Sequence, residues 1–179
     1  MSREEQVRRI LDVDDAKRAG DVGRLMQLLR HGVLSDMNTR CAAIRALGGL
    51  NAAEAVDLLT DYVTDTDEST RIAAIVALRK IGSADAARHF ISALSDVDRV
   101  AWSAADALAE IRSKEAVPAL AALLEKRSNW WVRRSAARAL AFIGGPDSMA
   151  ALSRAKQSER NLLRRRTLSA LVRQATRVP

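Results

Sequence analysis

The sequence is poor in cysteine, proline, glycine and aromatic residues, and it has no long hydrophobic run. Of its 179 residues 3% are aromatic, and it has three prolines, eight glycines and one cysteine, Cys41. A single cysteine excludes an internal disulfide, and its place among small residues of a predicted helix indicates a buried, inert thiol. No apolar segment approaches the roughly 18 residues that span a bilayer, and residues 1–5 lack the apolar stretch of a signal peptide. We therefore expect a cytoplasmic protein without membrane contact.

The residues that the chain has in abundance are small and branched aliphatics. Hydrophobic residues make up 48%, so an interior with few aromatics must be built from Ala, Leu, Val and Ile. Alanine is the strongest helix former and lets helix axes approach closely, whereas no segment shows the sustained alternation that is typical of strands. The composition predicts an all-α fold.

The dipeptide Ala-Leu recurs five times, with successive spacings of 31, 30, 32 and 31 residues. Its copies begin at Ala46, Ala77, Ala107, Ala139 and Ala170. A period of this size is typical of stacked units, none of which can bury its apolar face alone. Each copy lies on an apolar stripe with the 3.6-residue period of a helix. The repeat therefore predicts successive helices that stack on one another.

A second, shorter helix is predicted after each of these first helices. Glycine ends the first helix in three copies, at Gly48-Gly49, Gly82 and Gly144-Gly145, where we expect a left-handed cap. An acidic residue then opens the second helix, where it favours the positive end of the helix dipole. These acids are Glu54, Asp85, Glu115 and Asp147. The predicted unit is helix, tight turn, helix and loop.

The pattern Arg-x-x-Ala-x-x-Ala-Leu, then Ile-Gly, then Glu/Asp-Ala-Val-x-x-Leu resembles the short HEAT-like repeats first associated with phycobilisome lyases. Residues 70–95 and 132–152 match it well, and residues 100–124 match apart from a missing arginine. The resemblance implies a right-handed α-solenoid of about five helix pairs, whose second helices line a concave groove. Residues 1–34 are then an N-terminal helical capping unit, and residues 35–179 form one continuous solenoid domain. Such repeats serve as protein-binding platforms, lyase scaffolds and DNA-repair enzymes alike.

The net charge of +7 is unevenly distributed. Residues 1–125 carry 16 basic and 20 acidic side chains, whereas residues 126–179 carry 13 basic and 2 acidic ones. This asymmetry indicates attraction to an acidic protein surface or to a polyanion. An arginine-rich solvent face of the helices is the alternative explanation.

An arginine opens the first helix in four of the five copies, at Arg40, Arg71, Arg133 and Arg164. We expect each guanidinium to bind a neighbouring loop carboxylate or carbonyl and so to hold the stacking angle. The loops before the first helices of the earlier copies carry acids, namely Asp36, Asp65, Asp67, Asp96 and Asp98. In the last two copies these acids are largely replaced by Lys126, Arg127, Asn129 and Arg160. The arginines there are expected to be unpaired and free to meet a partner.

Trp130 and Trp131 begin a predicted helix in the basic half, beside Arg133 and Arg134. Tryptophan and arginine are enriched in interaction hot spots. We therefore predict a partner-binding surface there, to which Arg88 and Arg154 contribute from the concave row of second helices. The alternative is that one tryptophan packs between repeats while the other covers a loop.

Arg160, Arg164, Arg165 and Arg166 are candidate phosphate-binding residues, and the tryptophan pair would suit single-stranded nucleic acid. The same arginines also suit the polar outer face of a terminal capping helix. Nucleic acid is therefore the alternative partner.

Signals for catalysis are few. Trp102 and Asp106 lie one helical turn apart, a spacing similar to the site of bacterial alkylpurine DNA glycosylases, but nothing else in the chain matches that family. His31 and His89 are isolated, so we predict no metal, no cofactor and no catalytic residue. A bilin-lyase activity is implied by the family resemblance alone. The sequence favours a non-enzymatic scaffold that binds a protein or peptide, most readily an acidic one.

Overall fold

The computed structural model describes residues 3–30, 34, 36–126 and 129–176, and every regular element within them is helical. The expected all-α fold of stacked helix pairs is confirmed. Arg127 and His31 lie outside the described residues. No helix within the described ranges is both long and apolar enough to cross a membrane. The helices are α1 (Arg3–Ala19), α2 (Val22–Arg30), α3 (Met37–Gly49), α4 (Val56–Asp61), α5 (Glu68–Ile81), α6 (Ala87–Ala93), α7 (Asp98–Glu110), α8 (Val117–Lys126), α9 (Trp130–Ile143), α10 (Gly145–Ser158) and α11 (Leu162–Ala175).

The helices group into two compact units, and the first comprises Met1–Ala86. In it α1 and α2 pack on α3, and α3 packs along α5. Cys41 is 1% exposed and its Sγ lies 3.8 Å from Oγ1 of Thr70, as expected of a buried thiol. The fully buried large side chains of this unit are Leu25, Ile44, Leu47, Leu59, Ile75 and Leu78. The domain boundary predicted between residues 34 and 35 stays a prediction.

The second unit comprises Ala87–Pro179. Its first helices α7, α9 and α11 follow one another, and α9 packs against α7, α8, α10 and α11. The predicted core position of the second helices is completely buried at Phe90, Leu120 and Leu152. This packing makes α9 the central helix of the unit, and the tryptophan pair lies in its first turn.

The ends of the first helices follow the predicted pattern at only one glycine. Gly82 caps α5 in the left-handed conformation, with φ 73° and ψ 27°. Gly48 lies inside α3, and the left-handed residue after that helix is Asn51, with φ 52°. Gly144 has φ 72° but ψ −165°, which is outside the left-handed helical region. The left-handed cap predicted at Gly48-Gly49 is therefore wrong. At Gly144-Gly145 both glycines have a positive φ, of 72° and 82°, but Gly144, which follows the last residue of α9, is not in the left-handed helical conformation.

Gly48 has a different physical role, which is to allow two helices to touch. A Cβ atom built at Gly48 would lie 2.6 Å from Cα of Ala77 on α5. Carbon atoms in contact are normally 3.5–4.0 Å apart. The glycine is therefore required by the close approach of α3 and α5.

The loop acids of the first unit cap helices. The carboxylate of Asp36 accepts hydrogen bonds from the backbone N–H and the hydroxyl of Thr39, at 2.8 and 2.6 Å. These bonds hold the pKa of Asp36 below its ordinary value, the hydroxyl bond contributing most. Asp67 caps α5 in the same way through Thr70, and its pKa is lowered chiefly by the backbone N–H of Thr70. The charged form of each cap thus stabilises the start of a first helix.

Candidate functional site

Arg133 is anchored inside the second unit. Its Nε donates to the carbonyl oxygen of Leu124 at 2.7 Å, and its Nη1 lies 3.4 Å from Oε2 of Glu159. The two charged side chains are 17% and 7% exposed. The expected arginine–carbonyl bond is therefore present, as it is at Arg71, which donates to the carbonyl of Asp65 at 2.9 Å. The prediction that Arg133 is unpaired was wrong, because its acid comes from a turn 26 residues further along the chain.

Glu159 also organises the turn between α10 and α11. Its Oε1 accepts the backbone N–H of Asn161 at 2.9 Å. Asn161 in turn caps α11 by accepting the N–H groups of Leu163 and Arg164, both at 3.1 Å. One carboxylate thus connects the arginine of α9 to the start of α11. Sequence reasoning missed this role, although Glu159 is one of only two acids among residues 126–179.

Trp130 connects α9 to α11. The guanidinium carbon of Arg164 lies 5.1 Å from the centroid of its ring, and that of Arg133 lies 5.8 Å away. Both distances are within the range of cation–π attraction, and Trp130 is half-buried. The structure therefore brings together three of the predicted site residues, but around a contact between two helices. Arg164 is engaged there as well.

Trp131 is presented to solvent. Its side chain is 66% exposed, and the guanidinium carbon of the exposed Arg134 lies 5.9 Å from its ring centroid. The turn that carries it is held in place by Asn129, whose Oδ1 accepts the N–H of Trp131 at 2.9 Å and whose Nδ2 donates to Asp98 at 2.8 Å. A large aromatic surface with an adjacent cation thus lies at a helix start that is capped by a side chain.

Arg88 and Arg154 are carried by second helices and make separate contacts. Arg154, on α10, has its Nε 3.5 Å from Oε1 of Glu125, and both side chains are about half exposed, at 60% and 49%. It also borders a cavity of about 420 Å³ whose walls include Lys114, Glu115 and Asp147. Arg88, on α6, is exposed and donates from Nε to Nε2 of His89 at 3.1 Å. These two arginines therefore stand as individual surface cations.

The remaining candidate residues lie at the start of the terminal helix. Arg160 is exposed in the turn before α11, and Arg165 and Arg166 are exposed on α11 itself. Leu162 and Leu163, which sequence reasoning did not single out, are 73% and 72% exposed. The repeat alignment gave no signal of this exposure, because the earlier copies bury the position of Leu163.

The acid of the glycosylase-like pair is held by an arginine. Asp106 forms an ion pair with Arg138 of α9, and both border a cavity of about 450 Å³ together with Glu110 and Arg112. Trp102 is 47% exposed on α7. Across the described part of the chain, no three His, Cys, Asp or Glu side chains are grouped so as to hold a metal ion.

Several solved structures are similar to the chain over most of its length. An engineered protein known from its crystal structure is 23% identical, with a TM-score of 0.62 over 92% of this chain and 83% of its own. A designed armadillo repeat protein in complex with the peptide (KR)4 is 20% identical, with a TM-score of 0.67 over 91% of this chain and 85% of its own. Human deoxyhypusine hydroxylase in complex with glycerol is 19% identical, with a TM-score of 0.52 over 92% of this chain and 77% of its own. At these identities the likeness concerns the fold alone.

The family relationship follows from the sequence itself. A search of curated protein sequences found no match. The family model that describes HEAT repeats matches residues 24–105 and 90–172. These two matches together cover most of the chain and span every Ala-Leu copy. The chain therefore belongs to the family of HEAT repeat proteins.

Proposed function

We propose that the chain is a non-enzymatic HEAT repeat scaffold that binds an acidic protein or peptide through its basic C-terminal half. The observation that carries this proposal is the exposed pair of Trp131 and Arg134. Trp131 is 66% exposed in the first turn of α9. A tryptophan of this exposure offers a partner a large apolar area, and Trp and Arg dominate interaction hot spots.

The charge balance specifies the chemistry of the partner. Glu159, one of the two acids among residues 126–179, is already bound to Arg133. Asp106 and Glu125 lie on other helices and form ion pairs with Arg138 and Arg154, respectively. Six arginines of this half have no ion pair among the described residues, namely Arg134, Arg160, Arg164, Arg165, Arg166 and Arg173. Carboxylates of a partner would complement them and accelerate association.

The comparison with solved repeat proteins supports peptide binding as a use of this architecture. The designed armadillo repeat protein was solved with the peptide (KR)4, which is basic. Here the C-terminal half is itself basic, so complementarity favours a peptide of the opposite sign. A groove formed by the second helices would add Arg88 and Arg154 to the binding surface.

Affinity capture from the native cell extract with matched tryptophan variants tests the proposal. Trp131→Ala removes the exposed anchor, and Trp102→Ala, 47% exposed on α7, is the matched control. A hot-spot residue contributes roughly 2 kcal/mol or more, so we expect capture to weaken at least tenfold with Trp131→Ala. The control should retain the partner. Equal capture by both variants would refute Trp131 as the anchor. Trp130 is left unchanged in this experiment because it connects two helices.

Nucleic acid is the second candidate partner, favoured by the three exposed arginines Arg160, Arg165 and Arg166. If each neutralises one phosphate of a single strand, the slope of log affinity against log salt contains about −0.7 from each. Replacing all three by Gln should then reduce the slope by about 2. If the chain binds an oligonucleotide no more tightly than an unrelated protein of equal charge does, nucleic acid is removed as a candidate partner.

A further inference from the structure

The terminal helix exposes a face that the other first helices bury. At the position of Leu163 the earlier copies have Thr39, Thr70, Val100 and Val132, which are at most 5% exposed. At the position of Ala170 they have Ala46, Ala77, Ala107 and Ala139, which are at most 4% exposed. In α11, by contrast, Leu163 is 72% exposed and Ala170 is exposed. The apolar stripe of the repeat is thus present in α11 but uncovered.

The side of α11 that does pack is a side that every earlier copy buries as well. α11 buries Leu168 and Ala175. At the position of Leu168 the earlier copies have Ile44, Ile75, Ala105 and Ala137, which are all 0% exposed. Arg166 lies about 200° around the helix from Leu168, at a position where the earlier copies have the small residues Ala42, Ala73, Ser103 and Ser135. A guanidinium cannot be buried there without a paired acid, so an occupant that covers this side of α11 must supply a carboxylate.

We propose that the α11 face, formed by Leu163, Arg166, Ala170 and Arg173, docks an acidic amphipathic helix of a partner protein. These residues stand at i, i+3, i+7 and i+10, which places them on one stripe of the helix. Leu163 and Ala170 receive the apolar side chains of the partner helix, and Leu162 extends this apolar end. Arg166 and Arg173 pair with carboxylates that flank the apolar stripe of the partner.

The charge of α11 favours an acidic helix over a second copy of the chain and over a nucleic acid. The α11 helix carries four arginines and no acid between Leu162 and Ala175. A symmetric contact between the α11 faces of two copies would therefore set Arg166 and Arg173 against like charges, which opposes association. A nucleic acid would engage the arginines but leave the two exposed leucines uncovered. An acidic helix with an apolar stripe satisfies both features, in the manner of helix-in-groove recognition.

The test uses a fluorescein-labelled helical peptide of Leu, Glu and Ala, with Leu at every third or fourth position and Glu beside it. A peptide of the same composition in scrambled order is the control for charge. We expect the full chain to bind the ordered peptide at least tenfold more tightly in fluorescence anisotropy. Leu163→Ser should weaken binding about tenfold, and Arg166→Gln should weaken it to a similar extent. Leu11→Ser, at a leucine 53% exposed on α1, is the matched control and should leave affinity unchanged.

Circular dichroism of each variant confirms that it is folded, which the exposure of Leu163 and Arg166 leads us to expect. Equal binding of the ordered and scrambled peptides, or unchanged affinity in Leu163→Ser, overturns the proposal. Self-association of the wild type in sedimentation that Leu163→Ser abolishes assigns the face to a second copy and overturns it as well. If an oligonucleotide competes with the peptide and its own binding is unchanged in Leu163→Ser, the α11 face is assigned to nucleic acid and the proposal is overturned.

This inference rests on the proposed function only in taking the partner to be acidic. If Trp131→Ala loses the partner from the cell extract but the α11 face binds no peptide, the proposed function stands and the inference fails. If the peptide depends on Leu163 while extract capture ignores Trp131, the inference stands and the proposed anchor fails.

Discussion

Replacing Gly48 by alanine should destabilise the protein, although alanine is the better helix former. The new Cβ would lie 2.6 Å from Cα, 2.8 Å from Cβ and 3.2 Å from the carbonyl oxygen of Ala77. Backbone atoms cannot turn aside as a flexible side chain does, so α3 and α5 must move apart. Overpacking costs about 1–3 kcal/mol, and a backbone contact places Gly48→Ala near 3 kcal/mol. The better helix propensity of alanine offsets about 1 kcal/mol of this cost. The free energy of unfolding should therefore fall by about 2 kcal/mol.

Gly49→Ala is the matched control, because a Cβ at Gly49 meets nothing within 4 Å. It should stabilise the protein by up to about 1 kcal/mol through helix propensity alone. Thermal unfolding followed by circular dichroism separates the two, since 1 kcal/mol corresponds to about 2–4 °C in a chain of this size. We expect Gly48→Ala to lower Tm by about 4–8 °C. Equal or higher Tm in Gly48→Ala than in Gly49→Ala would refute the close contact of α3 and α5.

Three further predictions concern capping, the anchored arginine and the repeat interfaces. Asp36→Ala should lower stability by about 1 kcal/mol at neutral pH. The pKa of Asp36 is lowered in the folded protein. Its stabilisation is therefore complete above the pKa of the unfolded chain, about 4, and is lost as the pH falls below that value. The free energies of unfolding of variant and wild type, measured in urea, should converge in acid. Glu159→Gln should cost about 2–3 kcal/mol by leaving the guanidinium of Arg133 buried without its acid, whereas Glu125→Gln in an exposed pair should cost at most about 1 kcal/mol. Equal effects of the two in urea unfolding would contradict the anchoring of Arg133. Leu108→Pro should unfold its own repeat and damage the neighbouring ones, and a helical signal close to that of the wild type would contradict interdependent repeats.

The local pattern of each helix was predictable because it depends on residues close together in the chain. The leucines of the first four Ala-Leu copies, namely Leu47, Leu78, Leu108 and Leu140, are all 0% exposed, as a stripe of 3.6-residue period requires. Gly82 ends α5 as predicted. The prediction failed at Gly48 because a glycine near a helix end suits both a left-handed cap and a close helix contact. Only the position of Ala77 on a neighbouring helix separates these two roles.

The sequence alone determined the all-α class, the repeat period, the HEAT resemblance and the basic character of the C-terminal half, since each is a property of composition or spacing. The tertiary structure decided which of these residues are available to a partner. Arg133 is paired because the fold brings Glu159 to it, and Trp130 is enclosed by arginines of two helices whereas Trp131 is not. Leu163 is exposed because α11 packs on α9 and α10 by another side, where Leu168 is buried. Burial and ion pairing depend on groups far apart in the chain, and their distances are set only when the helices pack.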